Sequence, residues 1–146
     1  MTLTIRKSVM LSASKDTVWD HLTRAELLGA WFNPARADLS EGQPYELYNA
    51  ANDNTLCWGT VEKLSPKDHM RWSFTVSPLN GTMTTVTWDL ETVPGGTQLS
   101  LVHSGLPEGA EDFAVVLGFD KGWHEFMGRL HEIDKMDLPT PCHELT

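Results

Sequence analysis

Val116-Leu117-Gly118-Phe119-Asp120-Lys121-Gly122-Trp123-His124-Glu125-Phe126-Met127-Gly128-Arg129-Leu130-His131-Glu132-Ile133 is the stretch that decides how this chain folds. Its large apolar residues Val116, Phe119, Trp123, Phe126, Leu130 and Ile133 are spaced 3, 4, 3, 4, 3. That spacing draws one apolar stripe along a helix. Asp120, Lys121, Glu125, Arg129, Glu132 and Lys135 fall on its outer face. The pattern predicts a single helix from Asp112 to Lys135, roughly seven turns long, and Pro139 and Pro141 lie beyond it to end it. A helix so long and so apolar on one side must lie across a broad apolar surface.

The residues before it supply that surface. Met70, Trp72, Phe74 and Val76 alternate with Arg71, Ser73 and Thr75, and Thr84, Val86, Trp88 and Leu90 alternate with Thr85, Thr87, Asp89 and Glu91. After the turn Pro94-Gly95-Gly96, Leu99, Leu101 and His103 alternate with Ser100 and Val102. Period two marks half-buried strands, and short turns between them imply an antiparallel sheet with one buried face. Tyr45–Tyr48 and Thr55–Leu64 are two further strands, and Leu3–Leu11 is a first one, with Ile5, Val9 and Leu11 on one side. Between that first strand and the rest stand two short helices. Ser14 caps one that carries Val18, Trp19 and Leu22. Thr23-Arg24-Ala25-Glu26 has the form of a capping box for a second, through Leu27, Leu28 and Trp31, stopped at Asn33-Pro34. The plan is α+β.

The chain has 146 residues, 40% hydrophobic and 21% charged, ordinary globular composition for one domain over 1–146. The core would span about 3–135, with a short tail at 136–146. The net charge of −9 disfavours nucleic acid and anionic membranes, which need clustered cations. Residues 106–146 hold nine acidic and three basic side chains, read as a solvated face. No apolar stretch approaches the ~20 residues of a membrane span, and no apolar run follows the charges of the amino terminus, so no signal peptide is evident. Cys57 and Cys142 form no CxxC pair and read as free thiols of a reducing, cytoplasmic compartment.

This order of elements resembles the helix-grip fold of the START-like (SRPBCC) superfamily and, more narrowly, the activator-of-heat-shock-protein-ATPase homology family. The resemblance is carried by Val18-Trp19, by Leu27-Leu28-Gly29-Ala30-Trp31-Phe32 with Pro34, and by Glu41-Gly42-Gln43. Gly59-Thr60-Val61-Glu62, Leu101-Val102-His103-Ser104-Gly105-Leu106 and Gly122-Trp123 continue it, so that it runs from about Ile5 to Ile133. Gln43 departs from the family, which often has a second glycine there. The resemblance implies a curved sheet gripping the last helix, with an apolar cavity between them.

Candidate chemistry follows from that picture. Trp31, Trp72, Phe74, Trp88, His103, Phe119, Trp123 and Phe126 are the expected cavity-lining residues, although each aromatic ring serves equally well as core. His103 shares its strand face with Leu99 and Leu101 and should point inward. There it is either satisfied by a protein group or orients a ligand. Gly118, Gly122 and Gly128 interrupt the long helix; close backbone approach to the sheet, a kink or space left for a ligand would each offset their cost, and close approach is the expectation for Gly122. His124 and His131, two turns apart, do not easily share an ion, and Cys142-His143 lacks two obvious partners, so no metal site and no cofactor are expected. Glu108, Glu111 and Asp112 read as charges at a helix start. No Gly-x-Ser-x-Gly elbow and no phosphate-binding loop occurs. The expected function is binding of a small apolar or amphipathic ligand, with no assigned catalytic residue. An enzyme acting on an aromatic or hydrophobic substrate and a co-chaperone-like activator of a heat-shock ATPase in a stress response are the alternatives. A homodimer is compatible with all three.

Overall fold

A computed structural model describes residues 3–76, 79, 82–107 and 113–137, with side chains through residue 132. Strand β1 (Leu3–Leu11) leads into helices α1 (Lys15–Thr23) and α2 (Ala25–Trp31). Strands β2 (Pro44–Tyr48), β3 (Thr55–Ser65), β4 (His69–Val76), β5 (Thr84–Val93) and β6 (Gly96–Leu106) follow, and helix α3 (Phe113–Asp137) closes the order. The expected helix start at Asp112, the acidic residues Glu108 and Glu111, and the Cys142-His143 pair lie outside the described residues.

The six strands form one antiparallel sheet in the order β1-β6-β5-β4-β3-β2. Strands β2 to β6 are therefore a meander of hairpins, and α1 and α2 carry the chain from one edge of the sheet to the other. Directly opposed residues of antiparallel strands share a face, so the register reads off the inner surface. One row is Val61, Trp72, Val86, His103 and Ile5; the next is Leu64, Met70, Trp88 and Leu101. A bulge between Val61 and Lys63 and another between Leu47 and Tyr48 bend the strands and raise their twist, which makes the sheet concave. Gly59 belongs to the same bend. A Cβ there would collide with the Ser73 carbonyl of β4, so the close backbone approach occurs in the sheet.

Helix α3 lies in the concavity. Its buried side chains are Val116, Trp123, Met127 and Leu130. Phe119 and Phe126 are only partly buried and flank the stripe on the side of the cavity described below. Met127, one turn beyond Trp123, takes the core position that spacing alone gave to Phe126. Helix α1 is capped at Ser14, whose side chain accepts from Thr17 N, as expected. The capping box is not formed. Thr23 closes α1 and donates its hydroxyl to Trp19 O at 2.9 Å, and the Asp38 carboxylate accepts from Ala25 N at 2.7 Å to serve the start of α2.

Both sheet edges are partly occupied. At β1, His131 Nδ1 contacts Met10 O at 3.1 Å and Lys7 pairs with Asp120 at 2.9 Å. At β2, residues 34–36 bond to Glu46 and Tyr48. Edge groups so occupied oppose strand addition by other chains.

Candidate functional site: an aromatic cage and its cavity

The space between sheet and α3 is filled mainly by rings. Trp72, Trp88 and Trp31 are at most 1% exposed and meet edge to face, with Trp31–Trp88 at 5.9 Å and Trp72–Trp88 at 5.6 Å between centroids. Trp123 of α3 enters the same cluster, 5.6 Å from Trp88 and 5.9 Å from Phe74. Tilted and perpendicular pairs of this kind add about 0.5–1.5 kcal/mol each beyond the area they bury. The indole Nε1 atoms of Trp72 and Trp88 are buried and have no hydrogen-bond partner among the described residues.

Beyond this packed region a cavity of about 160 Å³ remains at one end of the concavity. The sheet contributes Leu56, Cys57, Phe74 and Val76, and α3 contributes Gly118, Phe119, Gly122, Trp123 and Phe126. Phe32 and Asn33, just past α2, close the third side. The Phe32 ring stands 4.6 Å from Phe126 and 5.2 Å from Trp123. No charged residue is among these described lining residues. Burial drives the Cys57 thiol well above its ordinary value, so it is a neutral apolar wall group; only thiolates are good nucleophiles.

The helical glycines acquire a physical account here. A Cβ on Gly122 would meet only Phe126 Cε2 at 3.8 Å, and one on Gly118 would meet nothing within 4 Å. The close approach expected at Gly122 is therefore absent. One turn apart on the cavity wall, these glycines leave the opening clear, at a cost of about 1 kcal/mol each against alanine.

His103 is fully buried and has a partner for each ring nitrogen. An indole N–H can only donate, so Trp123 Nε1 donates to His103 Nδ1 at 3.0 Å. The proton therefore sits on Nε2, which donates to Thr84 Oγ1 at 2.8 Å, and Thr84 passes its own hydroxyl hydrogen to Phe74 O at 2.7 Å. The relay is complete and neutral. Desolvation lowers the His103 pKa to about 4. Phe74 and Phe119 pack on the ring edge to face at 5.2 and 4.9 Å.

Of the eight residues the sequence pointed to, Phe74, Phe119, Trp123 and Phe126 come together on the cavity wall. Trp31, Trp72 and Trp88 lie behind it, in the packed cage, and His103 does not line it but sits behind Phe74, Phe119 and Trp123. Phe32, Asn33, Leu56, Cys57, Val76, Gly118 and Gly122 were not in the expected lining set. Val76 continues the alternation of β4, so its inward face was readable. Phe32 and Asn33 follow a helix stop, where no period applies. Among the described residues no three His, Cys, Asp or Glu side chains group as a metal site, and no helix is long and apolar enough to cross a membrane.

A curved antiparallel sheet wrapped around a long last helix, with two short helices after the first strand, is a helix-grip domain of the START-like class. Residues 12–134 match the family described as Activator of Hsp90 ATPase homolog 1-like protein, and the chain belongs to that family. Its fold is similar to that of MLL2253 from Mesorhizobium loti (TM-score 0.78, 20% identity, covering 93% of this chain and 100% of that one). It is likewise similar to the Aha1 dimer from Colwellia psychrerythraea, with TM-score 0.73 and 22% identity over 89% of this chain and 94% of that one. DynU16, a putative protein in the dynemicin biosynthetic locus, gives TM-score 0.75 at 24% identity over 93% of this chain, which spans 48% of it. No curated protein matches the chain significantly.

Proposed function

We propose that the protein is a binding module for a small, uncharged, largely apolar molecule held between the sheet and α3. The observation that carries this reading is the cavity of about 160 Å³, kept open by glycines that the backbone packing does not require. An engineered apolar cavity of about 150 Å³ holds benzene, so the space suits one ring or a similarly compact group. The wall argues for binding over catalysis. Its thiol is neutral, and the imidazole behind it, His103, spends both nitrogens on protein partners, so among the described lining residues no pair of polar groups converges on a reacting atom. The buried, unpaired Cys57 fits a cytoplasmic setting. A heat-shock ATPase activator role is suggested by the family description alone.

The test is a titration of the protein with toluene followed by amide and methyl NMR shifts. Shifts confined to Phe74, Val76, Phe119, Trp123 and Phe126, saturating at one equivalent, are expected. Absence of saturable shifts up to the solubility limit of toluene would refute the reading.

A further inference from the structure

Asn33 has no evident structural task. The residue lines the cavity beside Phe32 and is half-buried. Asparagine after a helix usually serves in one of two ways: it accepts the left-handed backbone conformation, or its side chain bonds to nearby backbone groups. Asp53 and Lys67 are the only non-glycine residues with positive φ among those described, so Asn33 does not do the first. The carboxamide makes no hydrogen bond among the described residues, so it does not do the second; neighbouring backbone is served by other groups, Tyr48 N by Pro34 O at 3.0 Å and Phe32 N by Leu28 O at 2.9 Å. Pro34 already keeps Asn33 out of the helical region, so α2 ends there without help from the carboxamide.

What the carboxamide does have is a place on an otherwise apolar wall. Apart from the protonated Cys57 thiol, no other described lining side chain but the indole of Trp123 carries a hydrogen-bonding group, and that indole is committed to His103. A carboxamide offers one acceptor oxygen and two donor hydrogens, so it serves a hydroxyl or a carbonyl equally. It gives no compensation to a full charge, and burying an unpaired charge in such a wall is prohibitive.

We infer that Asn33 is the specificity-determining residue of the cavity, selecting neutral single-ring-sized ligands that carry one hydroxyl or carbonyl group and placing that group at the rim next to Phe32. The inference rests on the cavity reading above and adds the class of ligand and its orientation.

Phenol and toluene have nearly the same shape and differ in the hydroxyl, which makes them the probes. Their affinities are measured by NMR titration for the full chain and for Asn33→Leu and Asn33→Ala, two variants so that a folding defect in one leaves the other to decide. Removing the carboxamide should weaken phenol about fivefold, the equivalent of one ordinary hydrogen bond of ~1 kcal/mol, while toluene stays within twofold. In the unaltered protein, nuclear Overhauser contacts should run from the phenol ring to Phe126 and from the Asn33 amide hydrogens to the ring positions nearest the hydroxyl. Equal losses for both probes, or no loss for phenol in either variant, would overturn the assignment of Asn33 and leave the cavity reading standing. Failure of both probes to bind the unaltered protein would overturn the two together.

Discussion

Acid should unfold this protein through one residue earlier than its carboxylates alone would. His103 is buried as the neutral imidazole with its pKa lowered from the ordinary 6.5 to about 4 by desolvation. The unfolded chain therefore binds a proton at about pH 6.5 that the folded chain refuses until about pH 4. Between those values the unfolded state holds more protons, so stability rises with pH and falls as pH drops. The contribution is complete above about pH 6.5 and is lost progressively on acidification, amounting to about 3 kcal/mol at pH 4. Geometry agrees with the sign, since a proton on Nδ1 would face the Trp123 N–H, donor against donor. Among the described residues the ring's hydrogen-bond and aromatic partners are Thr84, Phe74, Phe119 and Trp123, none of them charged. Urea melts at pH 7.5, 5.5 and 4 on the unaltered protein and on His103→Gln, which cannot titrate but keeps an acceptor and a donor, isolate the effect from every other titrating group. The unaltered protein should lose about 3 kcal/mol more than His103→Gln across this range. Parallel pH curves, differing by less than ~0.5 kcal/mol, would refute the argument.

Three further outcomes follow from the packing. Trp123→Ala should cost on the order of 3–5 kcal/mol, because the ring is 2% exposed and its loss also strips His103 of a donor; a loss below ~1 kcal/mol in denaturant melts would contradict the cage. Gly118→Ala and Gly122→Ala together should raise stability by about 2 kcal/mol, a gain of several degrees in Tm for a chain of this size, while weakening toluene binding. A destabilised double variant would mean that the helix backbone needs those glycines after all. Gly59→Ala should instead destabilise by several kcal/mol, since its Cβ would collide with the Ser73 carbonyl, and a variant that melts with the unaltered protein would show that β3 and β4 can part there freely.

The fold was legible because its elements are long and their periods clean. Trp72, Phe74, Val86, Trp88, Leu99 and Leu101 alternate without interruption, and every one is buried at 3% exposure or less. The site was only half legible, for two physical reasons. Periodicity says that a side chain points inward but not whether it meets packed neighbours or open space, so Trp72 and Trp88 could not be told from Phe74. The outcome depends on sheet curvature, set by bulges at Val61/Lys63 and Leu47/Tyr48 that leave no mark on an alternating pattern. Helical phase has a similar limit. Phe126 and Met127 are neighbours on the helix surface, and the larger ring faces the cavity while the more pliant thioether takes the core. The glycines left the choice open for another reason, and close approach was the wrong choice at Gly122. Low helix propensity signals that something offsets it, but contact and open space give the same residue.

The arrangement separates a packed region from an open one along the length of the groove. At one end, interlocked indoles fix the sheet against α3; at the other, Gly118 and Gly122 withhold side chains where alanine would fit. The two ends meet at Trp123, which packs on Trp88, borders the cavity and is tied to the sheet through His103 and Thr84. A wall so fixed loses little freedom when a ligand arrives, and such preorganisation favours affinity in a small site. Occupancy in turn acts on stability: a ligand at a hundred times its Kd adds about 2.7 kcal/mol, comparable with what the two glycines forgo. If the proposed ligand binds, the folded state should be most stable with the cavity occupied, a dependence that Gly118→Ala with Gly122→Ala should reduce and that thermal melts with and without toluene would measure.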